Sequence, residues 1–321
     1  QSRGWVDLST SYRATASYDP SSNGQTFGNN PITGSPTGTT ALNSFTSNTS
    51  VYPATYFVRD NTLVGCVASN ITDERCYRKV TVSATSGPLL TDERQNFANW
   101  YSFYRTRNLS VVSGTTLAFK TLDPSVRVAW QTLGSCTTFD GNCQGWDGSK
   151  TNSSIAAFTG SHRTDFYNWL KRLPANVSTP LRTGLIRIGE YYKTSGINSP
   201  YAQTPGVTLG TESACRQNYA MLMTDGIWNS DNPNIGNQDS TAKTLPDGTN
   251  YGPMSPYKDG NSSSLADIAC KYWATDLRTD LANNINPFVV DYTGTTTDQY
   301  WNAKNDPATW QHMVTFTVGL G

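Results

Sequence analysis

The chain reads as an α/β domain of the Rossmann-like kind, a mostly parallel sheet flanked by helices, with long loops and small β insertions and held by disulfides. Three observations predict it. Helix-period and strand-like segments alternate through the later two-thirds of the 321 residues. The apolar run Tyr219–Met223 breaks off at Thr224-Asp225-Gly226, as a strand does at the ligand-facing end of such a sheet. Six cysteines, with only two histidines and no C-x-x-C pair, point to disulfides in an oxidising compartment rather than to zinc.

Residues 1–90 are rich in Gly, Ser, Thr and Asn, and stretches such as "GNNPITGSPTGTT" carry turn chemistry without periodicity. They read as a polar, β-rich insertion of the domain, with "ATYFVRD" and "YRKVTVSA" as short strands. The core spans 91–321. In "TDERQNFANWYSFYRTR", Phe97, Trp100, Tyr101 and Tyr104 recur at i, i+3, i+4, i+7, one face of a helix with Asp92 and Glu93 at its positive end. "VRVAWQTLG", from Val126 to Gly134, alternates like a strand. "RTDFYNWLKRL", Arg163 to Leu173, is a helix stopped by Pro174, and residues 180–193 form another with Pro180 in a favourable first position. After the strand at Tyr219 comes a long polar loop, 229–263. A helix then starts from Ser264, with Asp267 in capping-box register, and reads on to Asn284. Val314–Val318 is the last strand.

Charge bounds the partners. Charged residues make up 15%, and 24 basic side chains balance 24 acidic ones, so there is no basic stripe for nucleic acid. No run approaches the ~18 apolar residues of a membrane span. An exported chain would place Gln1 after a leader segment, and the closing "VTFTVGLG" reads as a piece of something longer. Cys66–Cys76 and Cys136–Cys143 are expected as short loop closures, leaving Cys215–Cys270 as a long-range bridge. The six N-x-S/T sequons (Asn48, Asn70, Asn108, Asn152, Asn176, Asn261) are what chance supplies in so Asn- and Ser-rich a chain. The aromatics Trp100, Tyr101, Trp169, Tyr191, Tyr192, Tyr272 and Trp273 have the spacing of helices packed on a sheet, not of a sugar-binding face.

Asp225 is open to three readings: a turn residue with Gly226, a catalytic carboxylate beside Asp231 or Asp267, or a metal ligand. No G-x-S-x-G elbow supports a hydrolase. For a hard cation, Mg²⁺ or Ca²⁺, other oxygen donors are on hand: Thr179 just before a helix, and Asp7, Ser9 and Ser11 in "VDLSTS".

Those motifs resemble the metal-ion-dependent adhesion site of von Willebrand factor A domains: D-x-S-x-S, a Thr before "PL", and "TDG". Tyr12 stands where that pattern usually has Met. Longer blocks resemble the PilY/PilC-type proteins of type IV pili: "RQNFANWYSFYRTR", "TPLRTGLIRIGEYY", "NYAMLMTDGIWN", "SLADIACKYWATDLR" and "DPATWQHMVTFTVGLG", in order over 94–321. The resemblance implies a non-enzymatic adhesion and assembly module, exported through the periplasm to the pilus tip or outer-membrane surface. It implies minor pilins and a host or surface receptor as partners, and a C-terminal β-propeller beyond this segment. The metal set it implies is Asp7, Ser9, Ser11, Thr179 and Asp225. A secreted lectin-like protein using the polar loops, and a metal-free cap on minor pilins, are the rival expectations.

Overall fold

The computed structural model describes residues 11–13, 51–104, 107–134, 155–170, 179–224, 226, 228 and 231–319. The chain divides into two compact units, Gln1–Thr121 with Leu170–Asn176, and Leu122–Trp169 with Val177–Gly321. Mixed helix and small two-stranded sheets make up both.

In the first unit, β1 (Ser11–Arg13) pairs antiparallel with β2 (Val51–Pro53), and β3 (Thr55–Arg59) with β4 (Tyr77–Thr81). The connection between β3 and β4 is closed by the expected Cys66–Cys76 disulfide. Asp73 organises its end, accepting hydrogen bonds from the backbone N–H of Val67 and of Arg75 and pairing with the Arg75 guanidinium at 2.8 Å. Two helices follow, α1 (Arg94–Tyr104) and α2 (Arg107–Lys120). The α1 stripe is only half used. Phe97 is buried against Ala54 and Val82 with Tyr101 alongside, whereas Trp100 remains 50% exposed. Helix α2 had no legible signal, because its Val, Thr and Gly residues are weak helix formers.

In the second unit, β5 (Arg127–Val128) pairs antiparallel with β6 (Ala156–Ala157). The strand expected over Val126–Gly134 is thus two residues long. From Trp130 on, the chain packs against α3 (Gly160–Leu170) through ring contacts with His162, Phe166 and Trp169 rather than along a neighbour strand. Helix α4 (Leu181–Tyr191) has Pro180 as its N-cap. The strand β7 (Tyr219–Thr224) pairs in parallel with β10 (Val314–Gly319), as the α/β reading requires. Among the described residues this parallel sheet has two strands, with no wider sheet around it.

A small hairpin, β8 (Lys243–Thr244) and β9 (Asn250–Tyr251), lies in the polar loop. Helix α5 (Leu265–Trp273) begins at the expected capping box: the Ser264 hydroxyl accepts from Asp267 N–H and the Asp267 carboxylate from Ser264 N–H. It stops at Trp273, short of Asn284, because the buried Arg278 redirects the chain. That guanidinium reaches Glu212, Asp280 and Ser199. Helix α6 (Thr296–Gln299) is a single capped turn.

Among the described residues of this unit, two clusters of buried side chains surround α4, α5 and the hairpin. Leu185, Tyr192, Ala220, Ile268, Tyr272, Leu277 and Met313 join α4, α5 and β7. Leu245, Tyr251, Cys270, Trp273, Ala274, Ala308 and Trp310 fill the space under the hairpin. The expected Cys215–Cys270 bridge is not formed. Cys215 is exposed, whereas Cys270 is buried in the second cluster with its thiol directed at the Gln238 carbonyl, so both are free. Cys136 and Cys143 lie outside the described residues.

Candidate site at the carboxyl end of the parallel strands

Strands β7 and β10 run in register and finish together, Thr224 opposite Gly319. Just past this end Gly226 takes φ +86°, a left-handed turn that suits glycine, and its N–H donates to the Thr224 hydroxyl at 3.1 Å. The described turn bond therefore belongs to Thr224. Asp225 itself lies outside the described residues, as do Asp7 and Ser9. Ser11 opens β1, and its side chain is not described. Of the five expected ligands, only Thr179 has a described, half-buried side chain; it stands two residues before α4, and its carbonyl accepts from Leu181 N–H.

The N-terminus of α4 carries a constellation that no sequence motif announces. Asp231, from the polar loop, accepts from Thr183 N–H at 2.6 Å, so a carboxylate from 48 residues away caps the positive end of this helix. The Arg182 guanidinium lies 3.5 Å from Asp231, donates to the Ser263 carbonyl at 3.0 Å, and sits 4.3 Å over the Trp228 ring. Burial alone would raise the Asp231 carboxyl, but the Thr183 and Arg182 hydrogen bonds hold it below its ordinary value. The start and end of the loop are clipped to the first turn of α4.

The other carboxylate weighed with Asp225 has a structural task as well. Asp267 is fully buried and accepts from the N–H groups of Ser264, Gln238 and Asp239. His312 is likewise enclosed, its ring nitrogens on the Trp310 carbonyl and the Asp306 carboxylate. Among the described residues no group of three His, Cys, Asp or Glu side chains could hold a metal ion. The expected donor set is of a different kind, two carboxylates and three hydroxyls, and as chemistry it suits a hard cation such as Mg²⁺ or Ca²⁺. No helix among the described residues is long and apolar enough to cross a membrane.

Comparison with known proteins gives a consistent set of relatives. The chain is 47% identical over 263 residues to the type IV pilus biogenesis factor PilY1 of Pseudomonas aeruginosa strain PAO1, covering 80% of this chain and 22% of that protein. To the PilY1 of strain PAK it is 45% identical over 262 residues, covering 80% of the chain and 21% of that protein. To the PilY1 of strain UCBPP-PA14 it is 40% identical over 275 residues, covering 80% and 23%. The chain thus spans about a fifth of the length of the curated relatives it matches. No family model matches the chain, and no solved structure matches it.

Proposed function

We propose that this chain is a non-enzymatic module acting in type IV pilus biogenesis, with an adhesive role at the pilus tip or outer cell surface. The observation that carries this reading is the 40–47% identity to proteins named as type IV pilus biogenesis factors, sustained over 80% of the chain. In this reading the second unit is a von Willebrand A-like domain whose parallel pair β7–β10 belongs to its central sheet. Minor pilins, a surface receptor and a following β-propeller are its partners, and the Cys66–Cys76 bridge limits how far the first unit extends under tension.

The adhesive surface of the proposal is the carboxyl end of β7 and β10. On this unit Thr179 and Asp225 would hold Mg²⁺ or Ca²⁺ there, supplying a Lewis-acidic position for an acidic group of the receptor. The parts of the chain with described roles are positional. Pro180 starts α4 beside Thr179, Gly226 turns the chain after β7, and Asp231 with Arg182 fixes the loop leaving the site.

A second reading keeps one observation of its own. Trp228 is 43% exposed and rests on Arg182, an aromatic platform of the kind that binds sugars.

One complementation series tests these readings. Cells lacking the full-length protein are supplied with the wild type or with Asp225→Ala, then scored for surface pili, twitching and attachment with and without EDTA. The wild type is expected to restore all of these. Asp225→Ala is expected to restore pili while losing the EDTA-sensitive part of attachment. Normal pili and twitching in the deletion strain would end the pilus role. Glycan-dependent attachment that ignores both EDTA and Asp225→Ala would replace the metal site by the Trp228 platform.

A further inference from the structure

The buried residues Pro200, Tyr201 and Ala202 are held by arginines from two separate parts of the second unit. Arg127, on β5, donates to the Pro200 carbonyl at 2.8 Å and to the Ile155 carbonyl at 3.1 Å. Arg216, three residues ahead of β7, donates to the same Pro200 carbonyl at 3.2 Å and to the carbonyls of Tyr201 and Ala202 at 2.7 and 2.8 Å. Two half-buried guanidinium groups therefore meet at one oxygen atom.

Neither cation has a counter-charge. Their hydrogen bonds all end on neutral carbonyls, and no carboxylate among the described residues pairs with either. The acids around this turn are committed to a third arginine. Glu212 and Asp280 pair with the Arg278 guanidinium at 2.9 and 2.7 Å, and Asp276 accepts from the Arg278 N–H. Arg278 lies 5.3 Å from the centre of the Tyr201 ring, so charge is balanced at that end and left doubly positive where Arg127 and Arg216 meet. Burial, and then the Arg216 charge, bring Arg127 well below its ordinary value, to about 10. Donors are also left over. Nε of Arg127, and Nε with one terminal nitrogen of Arg216, bond to no described residue, and none is an enclosed atom, so a ligand reaches them from solvent.

We propose that Arg127 and Arg216 form a binding site for a divalent oxyanion, a phosphate or sulfate group. Charge decides between anions: two uncompensated guanidiniums match a dianion, whereas one carboxylate would cancel only half. The planar forks of guanidinium suit such an ion, which offers an acceptor oxygen to each. The site is local, because 24 basic and 24 acidic side chains leave no stripe for the backbone of a polyanion. Bound there, the ion ties β5 to the segment that enters β7. The site does not rest on the pilus reading.

Isothermal titration of the full-length protein, prepared in chloride alone, compares inorganic phosphate, inorganic sulfate, glycerol 3-phosphate and acetate at one ionic strength. Phosphate and sulfate are expected to bind about tenfold more tightly than acetate, or better. Glycerol 3-phosphate equal to phosphate extends the site to phosphate esters, and its failure confines the site to the free ions; both results support the proposal. Arg127→Lys and Arg216→Lys each keep the charge and a donor for the Pro200 carbonyl but lose the fork, so the fold is retained while phosphate weakens by roughly fivefold or more. Arg127→Gln removes one of the two charges and is expected to abolish the preference for phosphate over acetate. Phosphate and sulfate no tighter than acetate in the wild type would overturn the proposal. So would a phosphate affinity that the two lysine variants and Arg127→Gln leave unchanged, since the ion would then sit elsewhere and the arginines would only brace the turn.

Discussion

At the scale of single residues, the side chains that organise the candidate site are those whose partners are remote in sequence. Asp231 caps α4 across 48 positions, and Arg182 reaches Ser263 across 81. No local pattern marks either, since an Asp in a polar loop and an Arg near a helix start are both commonplace. Asp267 is the contrasting case. Its capping box with Ser264 was legible because both partners fall within one helical turn. Its further bonds to the N–H groups of Gln238 and Asp239 were not. Asp267→Ala should therefore cost more than the ~1 kcal/mol of an ordinary cap, about 3 kcal/mol, because it removes the acceptor of three N–H donors at once, one buried and two half-buried. Urea unfolding followed by circular dichroism would read this, and a loss near 1 kcal/mol would show that the loop donors find water instead.

At the scale of elements, the start marked by a capping box was read to the residue, and the ends were not. Capping signals are local, so Leu265 begins a helix where Ser264 said it would, whereas Pro180, expected as the first helical residue, is the N-cap of α4, and α3 starts at Gly160, three residues before the expected Arg163. The end of α5 at Trp273 is set by Arg278 and its carboxylates, and the short β5 by the aromatic contacts of Trp130 with α3. Helix pairing depends on one absent side chain. A Cβ at Gly189 of α4 would lie 2.5 Å from the Tyr272 ring on α5, and Tyr272 is also tied to Glu190 by a 2.8 Å hydrogen bond. Gly189→Ala should destabilise the second unit by about 2–3 kcal/mol through overpacking, despite the better helix propensity of alanine. A melting temperature equal to or above that of the wild type would mean that the helices separate without strain.

At the scale of the whole molecule, buried acids govern the alkaline limit. Burial pushes the Cys270 thiol from 9.0 up to about 11, with Lys243 opposing, and burial and Asp247 push the Tyr300 hydroxyl from 10.0 to about 12. Each group stays protonated in the folded chain over a range where the unfolded chain has lost the proton. Stability should fall between pH 9 and 11 for Cys270, and on towards pH 12 for Tyr300, by roughly 2 kcal/mol from the buried thiol. Urea midpoints at pH 8.5 and 11 for wild type and Cys270→Ala would show it as a shallower decline in the variant; parallel declines would refute it. The pattern of the chain by itself determined the mixed helix-and-strand character, the two strand segments that open at Tyr219 and Val314, the helix start at Ser264, the short disulfide and the likeness to pilus proteins, because each rests on neighbours along the chain or on repeated blocks of wording. Only tertiary structure decided that Cys270 stays a free thiol, that α1 leaves Trp100 in solvent, that Asp231 and Arg182 clip the site, and that Arg127 and Arg216 meet at one carbonyl. Those depend on which distant groups arrive to bury, pair or redirect a side chain, and that is a property of packing in three dimensions rather than of spacing in one.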